Sequence, residues 1–71
     1  MAPPGEICVI NRDGRTFRAY FTGLYNTLRH TYQYRVLIPN VELSLVVIEF
    51  TRRQLREYNR TDMPILIEPQ Q

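Results

Sequence analysis

The chain has 71 residues, 44% of them hydrophobic and 23% charged, the composition of one small globular domain and not of a disordered tail. A chain this short buries only about 60% of its unfolded surface, which leaves one thin core, one domain, and no cleft between lobes. No apolar run reaches the ~18 residues of a membrane span, the first residues lack the basic and then apolar regions of a secretory leader, and a net charge of +2 suits solubility without implying nucleic acid.

Met1 to Gly5 reads as a loose leader, because two prolines and a glycine discourage regular structure. Glu6 to Ile10 is rich in β-formers. Asn11-Arg12-Asp13-Gly14 carries a turn signal. Thr16 to Phe21 then alternates Phe17, Ala19 and Phe21 against Thr16, Arg18 and Tyr20. Period-two alternation across a turn predicts a β-hairpin. Thr22 can cap a helix, and Leu24, Leu28 and Tyr32 recur at helical spacing, so a helix is expected over about 23–33. Arg29 and His30 in its second half suit the C-terminal dipole. Tyr34 to Ile38 returns to β-type residues and Pro39-Asn40 breaks the run.

Val41 to Phe50 is the most apolar stretch. Its β-branched centre, Val46-Val47-Ile48, predicts a central buried strand. A helix running from Asn40 through Tyr58 is the competing reading, because Val41, Leu45 and Ile48 also fit a helical stripe. Thr51-Arg52-Arg53-Gln54 fits a capping box, so a short helix is expected over Arg52 to Tyr58, with Leu55 and Tyr58 on its apolar face. Met63 to Glu68 reads as a last strand on a sheet edge, since Pro64 cannot donate to a ladder. The ordered core is expected over about 6–68, with Phe17, Leu28, Leu45, Val47 and Ile67 buried.

The order hairpin, helix, strands, short helix, last strand resembles the ubiquitin-like β-grasp fold. The local match is Leu55-Arg56-Glu57-Tyr58-Asn59 followed by Ile65-Leu66-Ile67. In ubiquitin-like proteins a leucine, an acidic residue, Tyr and Asn form a short helical turn before the final strand. The resemblance implies a compact α+β domain with a mixed sheet. The ending Glu68-Pro69-Gln70-Gln71 lacks a terminal Gly-Gly, so the resemblance extends to the fold and not to a modifier that is activated and conjugated.

All nine basic residues are Arg, and Lys is absent. Arg stacks and pairs bidentately where a Lys point charge cannot, so the bias fits either a binding surface selected for Arg or a GC-rich coding sequence. Cys8 stands alone, which excludes an intramolecular disulfide and a multi-cysteine metal site. A free Cys in the apolar run Ile7-Cys8-Val9-Ile10 behaves as a small hydrophobe and points to a reducing, cytoplasmic setting. The glycines Gly5, Gly14 and Gly23 form no phosphate loop. The single His30 forms no metal pair, and Glu42, Glu49 and Asp62 show no acid–base pairing. No catalytic residue, metal or cofactor is expected.

Two surfaces remain. Arg52, Arg53, Arg56 and Arg60 belong to one predicted helix, with Arg52, Arg56 and Arg60 at successive fourth positions. They fit phosphates or an acidic partner, or they are a solvated face partly neutralised by Glu57. Tyr20, Tyr25, Tyr32 and Tyr34 offer apolar rings with polar tips, which suits a protein interface or the rim of a thin core. The expected function is a non-enzymatic protein-binding module: a small adaptor, inhibitor or assembly subunit that docks on a larger protein. By analogy, stand-alone chains of this kind occur among phage, viral and mobile-element proteins. The alternatives are a nucleic-acid binder using the Arg-lined helix and a structural homo-oligomer.

Overall fold

The computed structural model describes residues 3–38 and 44–67. The expected break at Pro39-Asn40, the strand start at Val41, the burial of Leu45 and the strand end at Glu68 lie outside the described residues. Within them the order is β1 (Glu6–Ile10), β2 (Thr16–Asn26), β3 (Thr31–Ile38), β4 (Ser44–Thr51), α1 (Arg52–Thr61) and β5 (Ile65–Leu66). The sheet order is β4-β3-β2-β1-β5. The first four strands form an antiparallel meander, and β5 returns to pair parallel with β1. The sheet curls into a half-barrel.

The first hairpin forms as the alternation predicts, with Ile7 opposite Ala19 and Val9 opposite Phe17. Its turn is closed by Asn11 and Asp13, whose amide and carboxylate oxygens accept from the Arg15 amide at 2.9 and 3.0 Å, respectively. Gly14 takes φ +88° there, a conformation open to Gly at little cost.

The helix expected over 23–33 does not form, and with it the β-grasp arrangement fails. Strand β2 runs on to Asn26 and pairs with β3 through Phe21–Tyr34, Tyr25–Tyr32 and Asn26–Thr31, with a register shift between Phe21 and Tyr25. Three residues at helical spacing were outweighed by three local features. Gly23 sits at φ +91° in that irregularity, where a bulge bends the strand and strengthens its twist. Thr22 does bond a following amide, accepting from Leu24 N at 3.3 Å, but within the bulge and not at a helix start. Asn26 Oδ1 accepts from the Leu28 and Arg29 amides at 3.0 and 3.1 Å, a side-chain turn that competes with helix. His30, at φ +56°, completes the reversal. The apolar stretch is a strand, since Ser44–Thr51 pairs residue by residue with β3, but it is not the central buried strand expected: β4 ends the sheet order, so one of its edges and its outward face, with Val47, are not covered by a neighbouring strand among the described residues.

The capping box at Thr51 and Gln54 is present in full. The helix runs a turn further than expected, to Thr61, and ends where Asp62, at φ 56°, donates its amide to Tyr58 O. The last strand is shorter than expected, Ile65–Leu66, beyond which Ile67 N still donates to Ile10 O at 2.8 Å.

One face of the curled sheet carries the core. Alternation puts Ile7, Val9, Ala19, Tyr34, Val36 and Phe50 on it, and α1 lays Leu55 against them, with Ile67 closing the end. Ile67 is buried as expected, and Phe17 packs half-buried against the cluster. Two expected core residues are exposed. Leu28 is 90% exposed because it falls in the β2–β3 turn, and Val47 is 49% exposed because its odd position on β4 faces outward.

Candidate functional site

The end of the β2–β3 hairpin gathers the side chains that packing does not claim. Its frame is polar. The Thr31 hydroxyl donates to Glu49 Oε1 at 2.7 Å, Asn26 Nδ2 reaches Glu49 Oε2 at 3.5 Å, and the Arg29 guanidinium stands 3.9 Å from the same carboxylate. The Thr31 hydrogen bond foremost, with smaller help from Asn26 and Arg29, holds the Glu49 carboxyl below its usual range against the opposing effect of burial, which is second only to the Thr31 bond. One β4 carboxylate thus ties both sides of the turn to the sheet.

On that frame Leu24 is 60% exposed, Tyr25 41% and Leu28 90%. The Tyr25 ring leans on Tyr32, centroids 4.8 Å apart, and its hydroxyl lies 3.3 Å from His30 Nδ1. Arg52, the first residue of α1, donates to the Tyr32 hydroxyl at 3.3 Å. That bond favours the charged guanidinium still further. From Tyr32 the rings continue inward: Phe21 at 5.8 Å, Tyr34 a further 5.5 Å, and Phe50 a further 5.6 Å, each at an inclined or edge-on angle that suits the quadrupoles. An aromatic ladder therefore joins the exposed hairpin end to the core.

The four tyrosines do not share one surface. Tyr25 and Tyr32 meet; Tyr34 lies fully buried beneath them, its hydroxyl donating to the Pro4 carbonyl; Tyr20 stands on the opposite face, between Glu6 and Arg35. Burial first, and the nearby Tyr32 second, push the Tyr34 phenol up to about 12.

The arginines divide as well. Arg52 turns to Tyr32. Arg53, Arg56 and Arg60 surround a shallow depression on α1 with Glu57 and Asn59. Glu57 neutralises Arg60, at 2.8 and 3.1 Å, and not Arg53. Cys8 lies half-buried on β1, and its backbone amide donates to the Tyr58 hydroxyl at 3.1 Å. Among the described residues no three His, Cys, Asp or Glu converge as a metal site would require, and no helix is long and apolar enough to cross a membrane.

Helical spacing over 23–33 puts Leu24 on a helix stripe and Leu28 in the expected core, which hides both as surface residues. Gly23 and the Asn26 turn were the signals that place them at a hairpin end. Compared with protein-family models, curated proteins and solved structures, the chain finds no match.

Proposed function

We propose that this chain is a non-enzymatic protein-binding module that docks on a larger protein through the end of the β2–β3 hairpin. The observation that carries the reading is the exposure of Leu24 and Tyr25 at the end of β2 and of Leu28 in the turn that follows, a turn held by the Asn26 side chain. Covering a Leu or aromatic side chain contributes roughly 1.5–3 kcal/mol, and interfaces concentrate energy in aromatic anchors ringed by weaker contacts. Tyr25 backed by Tyr32 has that form, and the Asn26, Thr31 and Glu49 contacts hold the turn in one shape before binding, which lowers the ordering cost.

The test is affinity capture from the native host with wild-type protein and with Leu28→Asp and Tyr25→Ala, with nuclease in one arm. Both substitutions are expected to abolish complex formation while the melting temperature stays near wild type, and nuclease is expected to leave the complex intact. Capture that survives both substitutions overturns the reading.

A second reading, a nucleic-acid binder, is favoured by one observation: Arg53 and Arg56 have no ion-pair or hydrogen-bond partner among the described residues, beside Arg60. Duplex binding that falls steeply with salt, as counterion release demands, and is lost in the Arg53→Ala/Arg56→Ala double variant, would put this reading first.

A further inference from the structure

The half-barrel is open between its two edge strands. A groove of about 350 Å³ is lined on one side by Val47, Ile48, Glu49 and Phe50 and on the other by Leu66 and Ile67, with Arg29 and Gln54 on its rim. Four consecutive β4 residues alternate between the two faces of the sheet, so a groove that touches all four runs along the strand's free edge and not over either face. Among the described residues β4 is the last strand on that side. Its pairing with β3 is unbroken from Thr51 to Ser44. It holds none of the devices that blunt an edge: no Pro, no Lys, no bulge, and a single charge at Glu49. The facing β5 is paired with β1 on one side only, and among the described residues nothing pairs with its other side.

We infer that this groove accepts one extended segment of a partner protein as a sixth strand. Main-chain hydrogen bonds to β4 supply the affinity, and alternate side chains enter between Ile48, Phe50 and Ile67. Walls on both sides fit a lone strand and crowd the edge of a second sheet. Charge selects the segment further. Arg29 stands 3.9 Å from Glu49, beyond hydrogen-bond distance, and its side chain is 76% exposed, so the guanidinium keeps donors for a second carboxylate, on the incoming segment. The occupant is therefore an apolar β-prone segment with an acidic residue placed to meet Arg29. The inference is independent of docking at the hairpin end, because Tyr25→Ala alters that surface without changing β4 or the charge beside Arg29.

The probe is a blocked eight-residue peptide of alternating Thr and Val ending in Glu, titrated into the wild-type protein to millimolar concentration and followed by amide hydrogen exchange in NMR spectra. Exchange is expected to slow about tenfold at alternate residues of Val46 to Thr51, the set whose amides face the open edge. A peptide with Pro at its centre should give no protection. Replacing its Glu by Lys should weaken binding about threefold, and Arg29→Ala should erase that difference. No protection at saturating peptide overturns the inference. So does protection that is already present without peptide: if it grows with protein concentration the edge is taken by a second copy, and if it does not, by the chain itself. The same titration on Tyr25→Ala should be unchanged, so loss of hairpin docking and loss of edge docking read out separately.

Discussion

The Tyr34 hydroxyl donates to the Pro4 carbonyl from a ring with no exposed surface. That buried phenol must stay neutral for the fold to persist. Its folded-state value of about 12 lies above the ordinary 10.0. The stabilisation is therefore complete below pH 10 and is lost as pH rises through the folded value, because the unfolded chain releases the proton first. A series of thermal melts should show the melting temperature falling across that alkaline window. Tyr34→Phe should flatten the fall, and at neutral pH it should cost about 1 kcal/mol for the lost hydrogen bond. An alkaline slope unchanged in Tyr34→Phe would place the titrating group elsewhere. Nothing in the sequence distinguished Tyr34 from Tyr20, Tyr25 and Tyr32 as residue types; the sheet register separates them, putting one in the core, two at the hairpin end and one on the far face.

At the scale of elements, the hairpin end sets two leucines apart from each other in consequence. Leu28→Ala should change stability by less than about 0.5 kcal/mol, as exposed substitutions do. Leu55→Ala, on the buried face of α1, should cost about 2–5 kcal/mol. Gly23→Ala should also destabilise, by about 1 kcal/mol or more. No atom lies within 4 Å of the added methyl, so the cost comes from φ +91° alone. Denaturant midpoints for the three variants check the ranking, and a Leu28→Ala variant as damaged as Leu55→Ala would contradict the exposed turn. The elements most legible in the sequence were those with two independent local signals: the first hairpin, with its alternation and its Asn-Arg-Asp-Gly turn, and α1, with its reciprocal Thr51–Gln54 cap. The stretch from Gly23 to Gln33 misled because a helical stripe of three residues was weighed without the Gly23 and Asn26 backbone preferences. Its pairing with β3 depends on contacts across the sheet that no local pattern encodes. Part of the candidate site is hidden by it: Tyr25 and Tyr32 stand out in the sequence as aromatic candidates, whereas Leu24 falls on the helical stripe and Leu28 among the expected core residues.

At the scale of the molecule, a thin sheet is covered on one face by α1, the one helix among the described residues. α1 carries the chain from one sheet edge to the other, from β4 to β5. Leu55 packs into the core, and the Tyr58 hydroxyl accepts from the Cys8 amide. The tyrosine thus occupies part of the β1 edge that the short β5 leaves bare, with β5 itself pairing only Val9 and Ile10. The segment Leu55 to Asn59 lies within α1 and precedes β5, while the β-grasp order expected around it is absent. A motif of five residues specifies how a helix meets a strand, and the same connection serves different sheets.

The parallel pairing of Val9 with Ile65 is the step that joins the two ends of the chain. Every other strand pair links neighbours in sequence, whose loops close at small entropic cost, whereas this one closes a loop spanning most of the chain. Folding should therefore proceed as a zipper from the meander, with the β1–β5 seam formed late and opened first. Native-state exchange should show the Ile67 amide, bonded to Ile10 O, opening at lower denaturant than the amide of Val36 at the sheet centre. Equal opening energies for the two would mean that the chain folds as one unit with no order among its seams.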